Sequence, residues 1–304
     1  MAPLVRPVDA DMAALLDRVQ RLELVARHNV AGLQPGDYLT AVKGRGLVFH
    51  ECRKYVPGEP ARSIDWNITA RTGEPHVRVH LEERQRQVFV ALDVSPSMFF
   101  GSRRRTKLEL GVELAASLAV SVHQAGDRLG HVLFADRVLD ESRPQGGGKQ
   151  LFRVLKALLE HTGPWNRPVA ESDPRAAVHG MQKYRGRYVI FLISDFIDHD
   201  VPEDLKYLQA HHDVSLLHVY DPLEYATDAP LAFRGRSPES RRRAGQEPWR
   251  LVETAAVDSL DAMQGFLRRQ CGPHGIAVQS FSTDIAVRSG LDAFFHRKRS
   301  LGRA

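Results

Sequence analysis

The residues best suited to chemistry form a short motif directly after an apolar run. Asp93, Ser95 and Ser97 follow the segment 87–92, which has the composition of a buried strand. Ligands bind at the carboxyl ends of strands in open α/β sheets, so this carboxylate and these two hydroxyls stand where a ligand is expected. Their oxygen atoms suit a small divalent cation. The motif therefore predicts a cation site, and a simple cap of the following turn is the alternative interpretation.

Two further carboxylates occupy the same kind of position. The strongly apolar run 188–193 leads to Asp195, and the run 214–219 leads to Asp221. If these strands are parallel, the three aspartates meet at one edge of the sheet, where Asp93 and Asp195 can share a cation with the serines. This set of oxygen ligands predicts Mg²⁺, with Mn²⁺ as the alternative ion, whereas Zn²⁺ prefers nitrogen and sulfur.

The elements that must position these residues alternate between strands and helices. After the strand that ends at Asp93, the pattern predicts a helix over 107–124 and a strand over 129–134. Later strands and helices continue this alternation, which favours an α/β fold with a mostly parallel sheet flanked by helices. We expect this domain to occupy residues 84–304, with a polar excursion near 223–250.

The first 83 residues have a different texture. Apolar residues at helical spacing predict an amphipathic helix over 9–30, and short alternating runs broken by Gly and Pro over 36–83 predict a small antiparallel β section. We therefore expect residues 1–83 to form a separate N-terminal subdomain.

Composition narrows the class of protein. The 304 residues are 43% hydrophobic, which is enough for a large core, and a formal charge of +5 argues against a nucleic-acid partner. Two distant cysteines, Cys52 and Cys271, indicate a reducing compartment, so we expect a cytoplasmic protein. We expect no membrane span, because no apolar stretch is long enough.

Two other functions are alternatives to a cation site that binds a partner: a metal-dependent phosphohydrolase and a nucleic-acid-binding module. A metal-dependent phosphohydrolase would use Asp93 and Asp195, but Ser95 stands where a second carboxylate is usual in aspartyl chemistry. A basic nucleic-acid-binding module would use the arginine runs 103–105 and 241–243, which lack interleaved aromatic residues.

The aspartate and serine pattern resembles a known metal site. Asp93-x-Ser95-x-Ser97 after one buried strand, with Asp195 after a later one, is similar to the metal-ion-dependent adhesion site (MIDAS) of von Willebrand factor A domains. This resemblance implies a doubly wound sheet in which Asp93, Ser95, Ser97 and Asp195 hold the ion. Such sites take a threonine from a second loop, but the expected place before the helix that begins near Pro174 has none. Ser172 and Asp173 at that place, or Thr162 further upstream, are the candidates for this ligand.

A second signature lies upstream, in residues 53–66. This segment resembles the pattern R-x-Y-x-x-G-x-x-x-R-x-I-D-W of a bacterial family known as domain of unknown function 58. The residues that carry the resemblance are Arg53, Tyr55, Arg62, Asp65 and Trp66. A charged pair beside an aromatic ring is commonly a packing contact, so we expect them to lock the antiparallel section to the sheet domain.

The two resemblances together imply a function. In such sites the metal keeps one open coordination position, which a carboxylate of another protein fills. Members of this family are also expected to work with MoxR-type AAA+ ATPases in the assembly or activation of other complexes. The resemblances therefore imply a metal-dependent protein-binding adaptor with an unidentified client protein, and not an enzyme.

Overall fold

A computed structural model describes residues 8–33, 48–56, 64–81, 85–102, 104–161, 173–184, 186–196, 203–225 and 259–301. The chain divides into two compact units, residues 41–86 and residues 1–40 together with 87–304. This division differs from the expected boundary at residue 83. Helix α1 (Val8–Asn29) belongs to the larger unit, because its buried face packs in the core of that unit.

The smaller unit contains the expected antiparallel section. Strand β1 (Val48–Lys54) pairs with β2 (His76–Leu81), with an irregular register between Phe49 and Glu51. A short helix, α2 (Trp66–Thr72), lies between them and was not predicted. It ends at Gly73, whose φ of 75° is the left-handed conformation that glycine adopts at helix ends.

The larger unit is built on a mostly parallel sheet, as predicted, and this sheet has six strands. Its spatial order is β5-β4-β3-β6-β7-β8, and all neighbours are parallel except β4 and β5. Strand β3 lies in the middle of the sheet, and β4 and β5 follow on one side of it. The chain then returns to the other side of β3, where β6, β7 and β8 follow in order, so the sheet is doubly wound. The strands are β3 (Gln87–Asp93), β4 (Arg128–Phe134), β5 (Val138–Gln145), β6 (Val189–Ser194), β7 (Asp213–Tyr220) and β8 (Ala277–Ser282).

Helices cover both faces of this sheet. One layer contains α1, α3, α4 and α8, and the opposite layer contains α5, α6 and α7. Apart from α1, the helices of these layers are α3 (Lys107–Gln124), α4 (Gly148–His161), α5 (Pro174–Gln182), α6 (Glu203–His211), α7 (Leu260–Cys271) and α8 (Val287–Leu301). Among the described residues, no helix combines the length and the apolar character needed to cross a bilayer.

Burial on both faces explains the continuous apolar strands. In β3, Val88, Val90 and Leu92 pack toward one helix layer, and Phe89 and Ala91 pack toward the other. A strand covered on both sides has no solvent-facing position, so its sequence does not alternate between polar and apolar residues. The polar excursion was predicted near 223–250, and only its first residues are described, in a short 3-10 turn, Pro222–Tyr225. Residues 226–250 lie outside the described residues.

Candidate functional site

The carboxyl edge of the sheet brings three aspartates together. Strands β3, β6 and β7 are neighbours, and Asp93, Asp195 and Asp221 stand at or directly after their carboxyl ends. All three side chains are buried. The sheet reverses its direction of growth between β3 and β6, which is where open α/β sheets form a ligand crevice. Asp93 and Asp195 flank that point.

The serine motif forms a compact turn around Asp93. Asp93 Oδ1 accepts a hydrogen bond from the Ser95 backbone N–H at 2.8 Å, and Oδ2 accepts one from the Ser194 hydroxyl at 2.7 Å. The Ser95 and Ser97 hydroxyls lie 3.1 Å apart. The bond to Ser95 is the turn cap of the alternative interpretation. It does not exclude a ligand, because each carboxylate oxygen has two lone pairs.

A buried lysine lies beside Asp195. Lys107 is the first residue of α3, and its Nζ donates to Asp195 Oδ2 at 2.7 Å. The same ammonium pairs with Glu224, in the turn after β7. Lys107 is completely buried, which alone would lower its pKa, but the charges of Asp195 and Glu224 outweigh burial and raise the pKa. The lysine is therefore charged, and it links the ends of β6 and β7.

Glu224 is itself held in place. Its second carboxylate oxygen accepts from the Asp221 backbone N–H at 3.1 Å. Burial raises the pKa of Glu224, although the neighbouring Lys107 ammonium opposes this. Sequence reasoning assigned no role to Lys107 or Glu224. The signal was present, since a lysine in the first turn of a helix opposes the helix dipole and needs another reason to be there.

Two polar atoms near Lys107 and Asp195 are buried without a hydrogen-bond partner in the described part of the chain. They are His218 Nε2 and Tyr225 Oη. Burial lowers the pKa of His218 to about 4, with Asp195 opposing this shift and Lys107 adding to it. The histidine is therefore neutral near pH 7, and the positive charge beside Asp195 comes from the lysine.

The backbone directly after Asp195 adopts an unusual conformation. Phe196 has a φ of 51°, which is rare for a bulky residue, and its side chain is buried. Its ring lies 6.5 Å from the His218 ring, centroid to centroid. Such a conformation persists when surrounding packing holds it, and residues in this state concentrate at functional sites. The turn that carries Asp195 is therefore held by the packing of Phe196.

The residues predicted for the second loop are only partly described. Ser172 and Thr162 lie outside the described residues. Asp173 caps α5, because its Oδ1 accepts from the Arg175 backbone N–H at 2.9 Å. Its own N–H donates to the Ala135 carbonyl at 2.9 Å, directly after β4. Asp173 therefore has a structural role as a helix cap.

The signature residues are described in part, within the smaller unit. Asp65 caps α2 by accepting from the backbone N–H groups of Asn67 at 2.9 Å and Ile68 at 3.3 Å. Trp66 is 67% exposed, and Tyr55 is partly buried. Arg53 lies in β1 opposite Val77, whereas Arg62 lies outside the described residues. The I-D-W part of the signature is thus the start of a capped helix.

The donor set at the sheet edge fits a hard cation in chemical type. Asp93, Ser95, Ser97 and Asp195 offer only oxygen atoms, which Mg²⁺ prefers. In the part of the chain that the structure describes, no three His, Cys, Asp or Glu side chains are grouped to hold a metal. The proposed site has only two carboxylates, and its other two ligands are hydroxyls, so it differs from a site made of three or more such side chains. The feature that fits a metal least is the Lys107 ammonium on Asp195.

The fold and this edge define a doubly wound α/β protein with a buried acidic site at its topological switch point. The chain belongs to the DUF58 family of proteins of unknown function, whose model matches residues 51–236. Uncharacterized proteins of Mycobacterium bovis and Mycobacterium tuberculosis are 29% identical over 216 residues, which cover 70% of this chain and 68% of each relative.

The solved structures that resemble this chain have low sequence identity to it and low TM-scores. A crystal structure of an aerotolerance-related membrane protein from Bacteroides fragilis, with multiple mutations to serines, has 18% identity and a TM-score of 0.42, and covers 69% of this chain and 98% of its own. The conserved hypothetical protein BatB from Bacteroides thetaiotaomicron has the same identity and TM-score, and covers 69% of this chain and 97% of its own. Likenesses of this size are too distant to transfer a function.

Proposed function

We propose that this protein is a Mg²⁺-dependent protein-binding adaptor of the von Willebrand factor A type. The observation that supports the proposal is that Asp93, Ser95 and Ser97 follow one strand and Asp195 follows its neighbour, at the switch point of a doubly wound sheet. The MIDAS resemblance of these residues supports the same proposal. Mn²⁺ is the alternative ion.

In this proposal the chain's own residues hold the ion and leave it one position for a partner. Asp93 and Asp195 supply negative charge, and the Ser95 and Ser97 hydroxyls supply neutral oxygens. A site with few fixed carboxylates leaves the ion able to attract a further carboxylate from another protein. Such binding makes or breaks no covalent bond.

The partner in this proposal is a MoxR-type AAA+ ATPase, and a client protein supplies the carboxylate. The chain belongs to the DUF58 family, and the resemblance to that family implies a partner of this kind. The adaptor would present the client to the ATPase for assembly or activation of another complex.

The test measures binding of the full chain to such an ATPase, immobilised on a biosensor, in Mg²⁺ and in EDTA. EDTA and Asp93→Ala should each weaken binding by about tenfold or more, equivalent to roughly 1.4 kcal/mol. Asp136→Ala is the control, because it removes an exposed carboxylate shortly after the neighbouring strand β4. Binding that is undiminished in both EDTA and Asp93→Ala contradicts the proposal.

A further inference from the structure

The proposed metal ligand Asp195 forms an ion pair with a positively charged side chain of the protein, Lys107. The Lys107 ammonium is 2.7 Å from Asp195 Oδ2 and pairs with Glu224 as well. The Phe100 ring encloses it further, with its centroid 5.9 Å from Nζ. The Lys107 backbone N–H donates to the Phe100 carbonyl at 2.8 Å, which fixes the start of the side chain. The lysine therefore has a defined place in the site.

Helix α3 does not need a lysine at this position. Its start is already capped by Thr106, whose hydroxyl accepts from the Glu109 N–H, while the Glu109 carboxylate accepts from the Thr106 N–H. A cation in the first turn is unfavourable with the positive end of the helix dipole. The placement of Lys107 is therefore explained by Asp195 and Glu224, and not by the helix.

A buried ammonium and a divalent ion compete for the same carboxylate. Each is stabilised by the negative charge of Asp195, and the two repel each other at short distance in a buried site. Glu224 offers the ammonium a second carboxylate, so Lys107 stays paired if Asp195 is taken from it. The trio thus has two arrangements in which no charge is left without a partner.

We propose that Lys107 is the resident cation of Asp195 and that it sets the Mg²⁺ affinity of the site. Lys107 then leaves Asp195 and remains on Glu224 when a divalent ion binds. This inference rests on the proposed function, since it concerns the same site. It adds a competing residue, Lys107, and a residue that receives it, Glu224.

The test titrates Mg²⁺ alone into the full chain by isothermal titration calorimetry. The variant Lys107→Met/Glu224→Gln removes one charge of each sign, so the net charge is unchanged while Asp195 loses its ammonium. Its Mg²⁺ affinity should rise by about tenfold or more. The control Lys156→Met/Glu160→Gln removes an exposed pair of α4, whose charged atoms are 3.5 Å apart, and should leave the affinity unchanged.

A single variant keeps the inference testable if the double variant does not fold. Glu224→Gln leaves the ammonium with Asp195 as its remaining carboxylate, so Mg²⁺ should bind more weakly than to the wild type. If Glu224 were itself a metal ligand, Lys107→Met/Glu224→Gln would also bind more weakly. That result overturns the inference, and so does tighter binding by Glu224→Gln.

The remaining outcomes separate this inference from the proposed function. Equal Mg²⁺ affinity in the wild type and in Lys107→Met/Glu224→Gln overturns the inference alone. Absence of Mg²⁺ binding in both overturns the inference and the metal dependence of the proposed function. Mg²⁺ binding by the double variant alone supports the inference that Lys107 opposes the metal, but it overturns the metal dependence of the proposed function in the wild type.

Discussion

Among single residues, Asp221 holds the sheet edge together. It accepts hydrogen bonds from the Ser102 N–H at 2.9 Å, the Thr283 hydroxyl at 2.8 Å and the Leu223 N–H at 3.0 Å, and also from the Ser102 hydroxyl. Burial alone would raise the pKa of Asp221, but these donors lower it. Three separate segments thus meet on one carboxylate, which gives Asp221 a structural role beside the candidate site.

Replacing Asp221 should therefore cost stability. Asp221→Ala leaves several buried donors without an acceptor, and we expect the free energy of unfolding to fall by about 3 kcal/mol. Urea unfolding of the wild type and the variant measures this loss of free energy. Asp221→Asn keeps one acceptor oxygen and should cost clearly less. A loss below about 1 kcal/mol for the alanine variant would contradict this role.

At the scale of elements, helix α1 is attached to the sheet unit by a polar contact as well as by its apolar face. Asn29, at the end of α1, donates to Glu113 Oε1 at 2.8 Å and to the Ser117 hydroxyl at 3.1 Å, both on α3. Val19 and Ala26 are buried in the same core as α3. Helix α1 therefore packs against the helix that carries Lys107.

The hydrogen bonds of Asn29 predict that two substitutions near the end of α1 differ in their effect on the free energy of unfolding. Asn29→Ala should lower the free energy of unfolding by about 2 kcal/mol, because it removes buried hydrogen bonds. Arg27→Ala removes an exposed ion pair with Glu23 on the same helix and should cost less than about 1 kcal/mol. Thermal unfolding of both variants compares them, and equal losses would show that the Asn29 contact adds nothing.

At the scale of the whole molecule, stability should depend on pH through His218. Its pKa in the folded protein is about 4, below the ordinary value of 6.5, because the ring is buried. As pH falls below 6.5 the unfolded chain takes up a proton that the folded one does not, so stability is lost between pH 6.5 and about 4.

This loss is measurable with a variant that lacks the buried histidine. Between about pH 7 and about pH 5, wild type should lose roughly 2 kcal/mol more than His218→Gln, at 1.36 kcal/mol per pH unit below 6.5. Urea unfolding at both pH values gives the difference. The amide of the variant would keep a polar atom for Ser280, which the histidine contacts at 3.1 Å. The same pH dependence in both proteins would exclude His218 as its source.

Much of the sheet could be predicted because its strands are buried on both faces. The runs that end at Asp93 and Asp195 have no solvent-facing position, so they are apolar throughout and stand out in the sequence. Helix α2 was missed because its start depends on a single cap, Asp65, within a short segment. The place of α1 was missed as well, because an amphipathic pattern does not say which core the apolar face joins.

The acids at the strand ends were determined by the sequence alone, because each directly follows an apolar run. Metal binding, the MoxR-type partner and the cytoplasmic location remain predictions. What only the tertiary structure decided is the cation that Asp195 meets. Lys107 is 88 positions away from it and 117 from Glu224. The three meet because the order of the strands places the ends of β6 and β7 side by side, next to the start of α3.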